Sequence, residues 1–232
     1  MVKIFFCVGR TVIRVGFLSQ IAGPVAGFNY DTQPMGRVLK IVNSLPFFWF
    51  LLAIPALAML YAFWVHDLLA MDMVPETGEF SARLMILAMM VSPLVAIFGQ
   101  RSWTSWLLKR RRSLGVGAFL YAVLHLLFYI LDMEALEAIW AEFFAPSIIT
   151  GWLAFLLFLP LAITSNNAAM RALKRRWKQL QRLVYVAAVL TLFHWIWIHD
   201  DAIAAWAHFI PLIVAQLLRG ILIYVRRGSE MG

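Results

Sequence analysis

Residues 45–65, LPFFWFLLAIPALAMLYAFWV, form a run without a single charged side chain. A helix that crosses a bilayer needs about 20 consecutive, mostly apolar residues. Five further stretches have this length and character, and the predicted spans are residues 45–65, 81–100, 113–131, 146–164, 181–198 and 203–225. The sequence therefore predicts an all-α membrane protein, a bundle of six transmembrane helices within residues 45–232.

The composition argues against a soluble protein. Hydrophobic residues make up 63% of the 232 residues and charged residues only 14%, whereas soluble domains carry roughly 25% charged residues. The formal net charge is +8. The basic residues are concentrated in alternate connecting segments, which is typical of membrane topology signals and not of a nucleic-acid-binding surface.

The distribution of charge predicts the orientation of the spans. Basic residues precede the first span, lie between the second and third and between the fourth and fifth, and follow the sixth, whereas acidic residues such as Glu76, Glu137 and Asp201 occupy the other connections. Basic connections stay on the cytoplasmic side. We therefore expect both termini in the cytoplasm, which agrees with an even number of spans.

Residues 1–44 form a basic N-terminal segment that precedes the first span. Its first 20 residues, interrupted by Arg10 and Arg14, are weakly amphipathic, which predicts an interfacial helix; an ordinary terminus is the alternative. They do not have the pattern of a cleavable signal peptide. Cys7 is the only cysteine of the sequence, so an intrachain disulfide and a thiolate metal cluster are excluded.

Two of the five histidines lie inside predicted spans. His66, His199 and His208 fall at the outer ends of spans, where water can hydrogen-bond to them, but His125 and His194 are surrounded by apolar residues. A polar group in an apolar medium without a partner costs on the order of 2–7 kcal/mol. The fold must therefore provide partners for these two rings.

Both of these histidines are predicted at the same depth. His125 follows Ser113 by twelve residues and His194 follows Gln181 by thirteen, so at about 1.5 Å per residue both lie roughly 18–20 Å from the inner boundary. Two imidazoles at one level on parallel helices can bind one planar ligand from its two faces, as axial histidines bind haem iron. A buried hydrogen-bonded pair and a proton relay are the alternatives.

Small side chains near the two histidines leave space for a macrocycle. The candidate pocket residues are Gly117, Ala118, Tyr121 and Ala122 on the third span and Ala187 and Ala188 on the fifth. Small residues are also common wherever membrane helices touch.

Three segments resemble one protein family. They are RRRSLGVGAFLYAVLHLLFYILD, LPLAITSNNAAMRALKRRWKQLQRLVYVAAVLTLFHWIW and, more weakly, TGEFSARLMILAMMVSPL. They resemble the MsrQ (YedZ) family, the haem-binding membrane subunit of the bacterial methionine sulfoxide reductase system, in the ferric-reductase-like transmembrane superfamily. The resemblance covers about residues 46–225. It implies a multi-pass protein of the bacterial inner membrane that holds b-type haem, with His125 and His194 as axial ligands of the iron.

The chain departs from this family at one haem position. The family has two histidines in the fifth span, about thirteen residues apart. His194 corresponds to the second of these, and Gln181 occupies the position of the first. Arg111 is the residue of the third span at the matching inner level. The resemblance therefore implies one haem, towards the outer face, and makes a second, inner haem doubtful.

The resemblance also implies an electron-transfer subunit and not a complete enzyme. Electrons would come from membrane quinol or a cytoplasmic flavin reductase and pass to a periplasmic molybdopterin-type reductase. The sequence has no GxGxxG fingerprint after a strand, so FMN or FAD is not expected in this chain alone. The alternatives are a redox-inactive scaffold and a non-haem transporter or proton relay, which would usually add carboxylates within the spans.

Overall fold

The computed structural model describes residues 40–199, except the side chain of His199, and residues 202–229. Its helices are α1 (Leu45–Val65), α2 (Ala70–Phe98), α3 (Ser102–Met133), α4 (Leu136–Glu142), α5 (Pro146–Ile163), α6 (Asn167–Leu173), α7 (Arg175–Gln181), α8 (Val184–His199) and α9 (Ala202–Ser229). Cys7 and the predicted interfacial helix lie outside the described residues.

Six helical segments are long and apolar enough to cross a membrane. They are α1, α2, α3, α5, the pair α7 and α8 over Arg175–Ile198, and α9. The prediction of an all-α protein with six transmembrane helices is confirmed. The short helices α4 and α6 lie in the connections between spans.

Helix α2 begins at Ala70, well before the predicted span at residue 81. Three acidic residues and Pro75 lower the apolar character of this first part, but they do not prevent a helix. The carboxylate of Asp72, in the first turn, accepts a hydrogen bond from the Leu69 N–H at 3.2 Å, and an acidic side chain is favourable at the positive end of the helix dipole. The apolar window marks the part of α2 suited to lipid, whereas the helix itself starts earlier.

The fifth span is divided into two helices. Helix α7 ends at Gln181 and α8 begins at Val184. Between them the Arg182 N–H donates to the Gln179 carbonyl at 3.1 Å and the Leu183 N–H donates to the Leu180 carbonyl at 2.9 Å. These i→i−3 bonds form a tight turn, which interrupts the continuous helix predicted for residues 181–198.

Among the described helices, two pairs pack against each other most extensively. Helix α2 packs along α3, and α5 packs along α8, while α9 packs against α2 and α8. Ala118 of α3 and Ala187 of α8 are 1% and 0% exposed, which lets the neighbouring backbones approach closely. The Ser81 hydroxyl of α2 donates to the Ala118 carbonyl at 2.8 Å.

Helix α1 has no buried residue, and its backbone is hydrogen-bonded to Tyr121 of α3. The Ala56 N–H donates to Tyr121 Oη at 2.9 Å, and the Tyr121 hydroxyl donates to the Leu52 carbonyl at 2.9 Å. Ala56 and Leu52 are an i, i−4 pair that a regular helix would bond directly. Tyr121 thus inserts its hydroxyl into the hydrogen-bond ladder of α1.

A candidate ligand site between two histidines

A cavity of about 330 Å³ lies between α2, α3, α5 and α8. This size falls in the range of small-molecule sites, about 300–1,000 Å³. Most of the lining side chains are apolar or aromatic, including Phe155, Phe158 and Trp195. His125 of α3 and His194 of α8 also line the cavity. The structure thus brings together the two histidines that the sequence predicts at one depth.

The two imidazole rings are nearly perpendicular to each other across a short gap. Their ring centroids are 6.1 Å apart and their planes are inclined at 85°. A bond between a metal ion and an imidazole nitrogen is about 2.0–2.1 Å long, and the ring centroid lies roughly 1 Å beyond that nitrogen, so two imidazoles on opposite sides of one ion have centroids roughly 6 Å apart. The spacing of the rings fits one metal ion between them.

Each histidine is oriented by a backbone carbonyl of the preceding helix in its pair. His125 Nδ1 donates to the Val74 carbonyl of α2 at 2.8 Å, and His194 Nδ1 donates to the Ser147 carbonyl of α5 at 2.7 Å. A carbonyl oxygen only accepts, so Nδ1 carries a proton, and in the neutral form of each ring Nε2 is then the basic nitrogen. This is the tautomer that metal-binding histidines use when Nδ1 is held by a second partner.

The predicted pocket residues fall in three places. Ala122 lines the cavity beside the histidines. Gly117 and Tyr121 line a smaller gap of about 150 Å³ between α3 and α1. Ala118, Ala187 and Ala188 are buried where the helices pack against one another. The small residues therefore serve helix contact more than they shape the cavity.

Two carboxylates line the cavity, although they were predicted to lie in the outer connections between spans. They are Glu79 and Asp132, and both lie within helices because α2 and α3 extend beyond the apolar windows. Glu79 pairs with Arg83, whose Nε donates to His208 Nε2 at 3.4 Å. The six predicted spans contain no carboxylate, but the helices extend beyond these spans and include Glu79 and Asp132.

Tyr129 also lines the cavity. Its hydroxyl oxygen is buried, and within the described part of the chain it has no hydrogen-bond partner. A buried hydroxyl normally has a partner, so this atom marks a polar position on the otherwise apolar wall.

Gln181 lies at the end of α7, away from the cavity lining. Its amide nitrogen donates to the Leu161 carbonyl at 3.2 Å and to Thr164 Oγ1 at 3.2 Å. Trp177 Nε1 donates to the Thr164 carbonyl at 2.9 Å. Gln181 and Trp177 thus satisfy acceptors at the carboxyl end of α5, where backbone carbonyls lack helical partners.

The residues that contact the two histidines were not among the predicted site residues. Val74 and Gly78 of α2 lie against His125, and Ser147 and Gly151 of α5 lie against His194. One signal was available: the dipeptide Thr-Gly occurs twice in the chain, at residues 77–78 and 150–151, once in each of these two helices.

Residues 77–192, a range that includes His125, match the family model described as "Ferric reductase like transmembrane component". The chain is also similar to proteins named "Protein-methionine-sulfoxide reductase heme-binding subunit MsrQ". The one from Azospira oryzae is 39% identical over 176 residues, which cover 72% of this chain and 72% of the relative. The one from Xanthomonas axonopodis pv. citri is 36% identical over 161 residues, which cover 65% of this chain and 71% of the relative.

The chain therefore belongs to the MsrQ family of ferric-reductase-like transmembrane proteins. Its six apolar helices and its bacterial relatives make it a multi-pass protein of the bacterial inner membrane.

Proposed function

We propose that this chain binds one b-type haem between His125 and His194 and transfers electrons in the membrane as a subunit of a methionine sulfoxide reductase system. The observation that carries the proposal is the 6.1 Å separation of the two ring centroids, which suits two axial ligands of one iron. The names of the relatives, which describe haem-binding subunits, support the same cofactor.

The set of available ligands favours haem over a metal ion held by side chains alone. In residues 40–199 and 202–229 no group of three or more His, Cys, Asp or Glu side chains is arranged to hold a metal ion. Two histidines can bind a metal that brings its other ligands with it, and haem iron does so through its macrocycle. Bound haem supplies reversible one-electron chemistry.

The chain's own residues orient the ligand and exclude water. The carbonyls of Val74 and Ser147 fix the tautomer in which Nε2 of each histidine binds the metal, and such bonds raise the basicity of the imidazole. Phe158 and Trp195, which are 8% and 5% exposed, belong to the apolar wall. A dry apolar shell is one of the factors that set a haem reduction potential.

We propose a single haem because the inner position lacks a ligand. Gln181 occupies the place of the family's other histidine, and its amide is used to satisfy acceptors of α5. At the matching level α3 carries Arg111, and a guanidinium is a donor without a lone pair for iron.

We further propose that both termini are cytoplasmic, because basic residues are concentrated in the connections on the side of the termini. In this orientation the haem lies in the outer half of the membrane, roughly 18–20 Å from the inner boundary. That distance is long for one electron transfer from a cytoplasmic flavin reductase. We therefore favour membrane quinol as the donor and a periplasmic molybdopterin-type reductase as the acceptor.

A proton relay is the second candidate function, and one observation favours it. Glu79 and Asp132 line the same cavity as the two histidines, so four ionisable side chains surround one space inside a membrane protein. Intramembrane carboxylates and histidines are typical of proton pathways.

Absorption spectra of the purified protein distinguish the two functions. The haem proposal predicts Soret and alpha bands of a b-type haem, lost or strongly reduced in His125→Ala and in His194→Ala, because each variant lacks one axial ligand. His66→Ala is the matched control, since His66 is exposed at the end of α1. A folded, colourless wild-type protein contradicts the haem proposal and favours the relay. Unchanged spectra in either ligand variant contradict the assignment of that ligand.

A further inference from the structure

One local arrangement occurs twice around the cavity, once for each histidine. In each case a helix carries a carbonyl that accepts from histidine Nδ1, a threonine three residues later and a glycine four residues later. The residues are Val74, Thr77 and Gly78 on α2 and Ser147, Thr150 and Gly151 on α5. Since residues i and i+4 share one face of a helix, the carbonyl and the glycine face the same imidazole.

The first copy holds His125. A Cβ atom built on Gly78 would lie 2.9 Å from His125 Nδ1 and 3.0 Å from His125 Cε1. The ring therefore packs directly against the backbone of α2, at a distance that only glycine leaves open.

The second copy holds His194 in the same way. A Cβ atom built on Gly151 would lie 2.7 Å from Cε1 and 2.9 Å from Nδ1 of this ring. At Gly115 and Gly220, by contrast, such a Cβ would have no atom within 4 Å.

The threonine hydroxyls lie close to the same carbonyls. Thr77 Oγ1 is 3.0 Å from the Val74 carbonyl and 2.7 Å from the Met73 carbonyl, and Thr150 Oγ1 is 2.8 Å from the Ser147 carbonyl and 2.9 Å from the Pro146 carbonyl. Each hydroxyl has one proton and donates it to one carbonyl of this local pair. We call each repeated unit a seat: it consists of Val74, Thr77 and Gly78 for His125, and of Ser147, Thr150 and Gly151 for His194.

We propose that Gly78 and Gly151 are positioning residues. They let the rings of His125 and His194 approach the backbones of α2 and α5 closely, and they thereby set where each ring lies relative to the ligand. A methyl group at either position would push the ring off its carbonyl and move Nε2 away from the line between the two helices. Metal–ligand distances in a well-formed site lie within about 0.2 Å of their standard values, so a ring that moves further than this binds the iron weakly or not at all. This inference deepens the proposed function, on which it depends for the identity of the ligand.

A double-mutant cycle in the purified full-length protein tests the seats without reference to activity. We expect Gly78→Ala to lower the thermal midpoint by roughly 4 °C or more. In the His125→Ala background the same substitution should not lower it, because the ring that the methyl group would strike is absent and alanine favours a helix over glycine. The pair Gly151→Ala and His194→Ala should behave alike.

An equal loss of stability in both backgrounds would overturn the proposal, because the glycine would then be required by something other than the histidine. If Gly78→Ala alone prevents folding, the comparison between His125→Ala and the double variant still decides the matter. Gly115→Ala and Gly220→Ala are the matched controls and should leave the thermal midpoint unchanged or raise it.

A second measurement reports on the iron itself. In the wild type both axial positions are filled, so the reduced protein should not bind carbon monoxide. In Gly78→Ala and Gly151→Ala we expect high-spin spectral features, carbon monoxide binding and a haem affinity lower by roughly 10–100-fold. Wild-type spectra in both variants would overturn the proposal. A colourless wild-type protein instead contradicts the proposed function, and the stability cycle then tests the seats independently.

Discussion

Each histidine of the site donates a hydrogen bond from Nδ1 to a backbone carbonyl of another helix, His125 to Val74 and His194 to Ser147. These bonds offset the cost of an imidazole in an apolar span and place a proton on Nδ1. On the proposed function, in which Nε2 binds the ligand, the same hydrogen bonds also serve ligand binding.

The closeness of the two histidines was predictable from the sequence, but their partners were not. Counting residues places His125 and His194 at a similar level, and the turn between α7 and α8 does not prevent the two rings from meeting. The accepting carbonyls belong to other helices, and which carbonyl a ring reaches depends on the rotation and shift of those helices. Neither quantity is encoded in the hydropathy of a single span.

Gln181 leads to a prediction about stoichiometry at the residue scale. We expect one haem per chain in the purified wild type, and still one in Gln181→His, because Arg111 offers no second ligand at that level. The measurement is the pyridine haemochrome assay against protein concentration from amino-acid analysis. A ratio near two in the wild type would contradict the single-haem proposal.

At the scale of elements, apolar windows predict spans better than they predict helices. The bounds of α1 and α5 agree with the predicted spans because loops or turns begin where the apolar residues end. Helix α2 instead begins at Ala70, eleven residues before the predicted span. This extension matters for the site, because it supplies both Val74 and Gly78.

Tyr121 was predicted to lie in the ligand pocket, and the structure places its hydroxyl in the hydrogen-bond ladder of α1. We therefore expect Tyr121→Phe to lower the free energy of unfolding by about 1 kcal/mol, the value of a typical hydrogen bond, and to leave the haem spectrum unchanged. Chemical denaturation and absorption spectroscopy measure the two effects.

The control for this variant is Tyr224→Phe, since Tyr224 is 81% exposed and its hydroxyl should contribute little to stability. A shifted Soret band in Tyr121→Phe, at normal stability, would mean that this hydroxyl acts on the ligand and not on α1.

At the scale of the whole molecule, the number of crossings was predictable because six apolar stretches fall within the range of lengths, about 17–25 residues, that crosses a bilayer. The arrangement of the helices was not, because in lipid their association depends on close packing and local hydrogen bonds. Ala118 and Ala187 illustrate this: their small size was recognised, but the contact that each makes depends on which helices become neighbours.

The proposed orientation makes a prediction for the intact cell. In a Cys7→Ser background, a membrane-impermeant maleimide added to spheroplasts should label Glu134→Cys, in the connection after α3, and should not label Gln100→Cys, in the connection before it. Both side chains are exposed, so accessibility in the folded protein is matched. Lysed cells, in which both variants should react, provide the control, and the reverse pattern in spheroplasts would invert the topology.

The pairing of α2 with α3 and of α5 with α8 has a consequence for biosynthesis. Each helical hairpin carries one complete seat with its own histidine, and the second hairpin leaves the ribosome well after the first. A nascent chain that stops short of α8 contains His125 but not His194, and so only one of the two proposed ligands. On the proposed function, the cofactor therefore binds late, after the fifth crossing has inserted. Its binding then links two helix pairs that were synthesised one after the other.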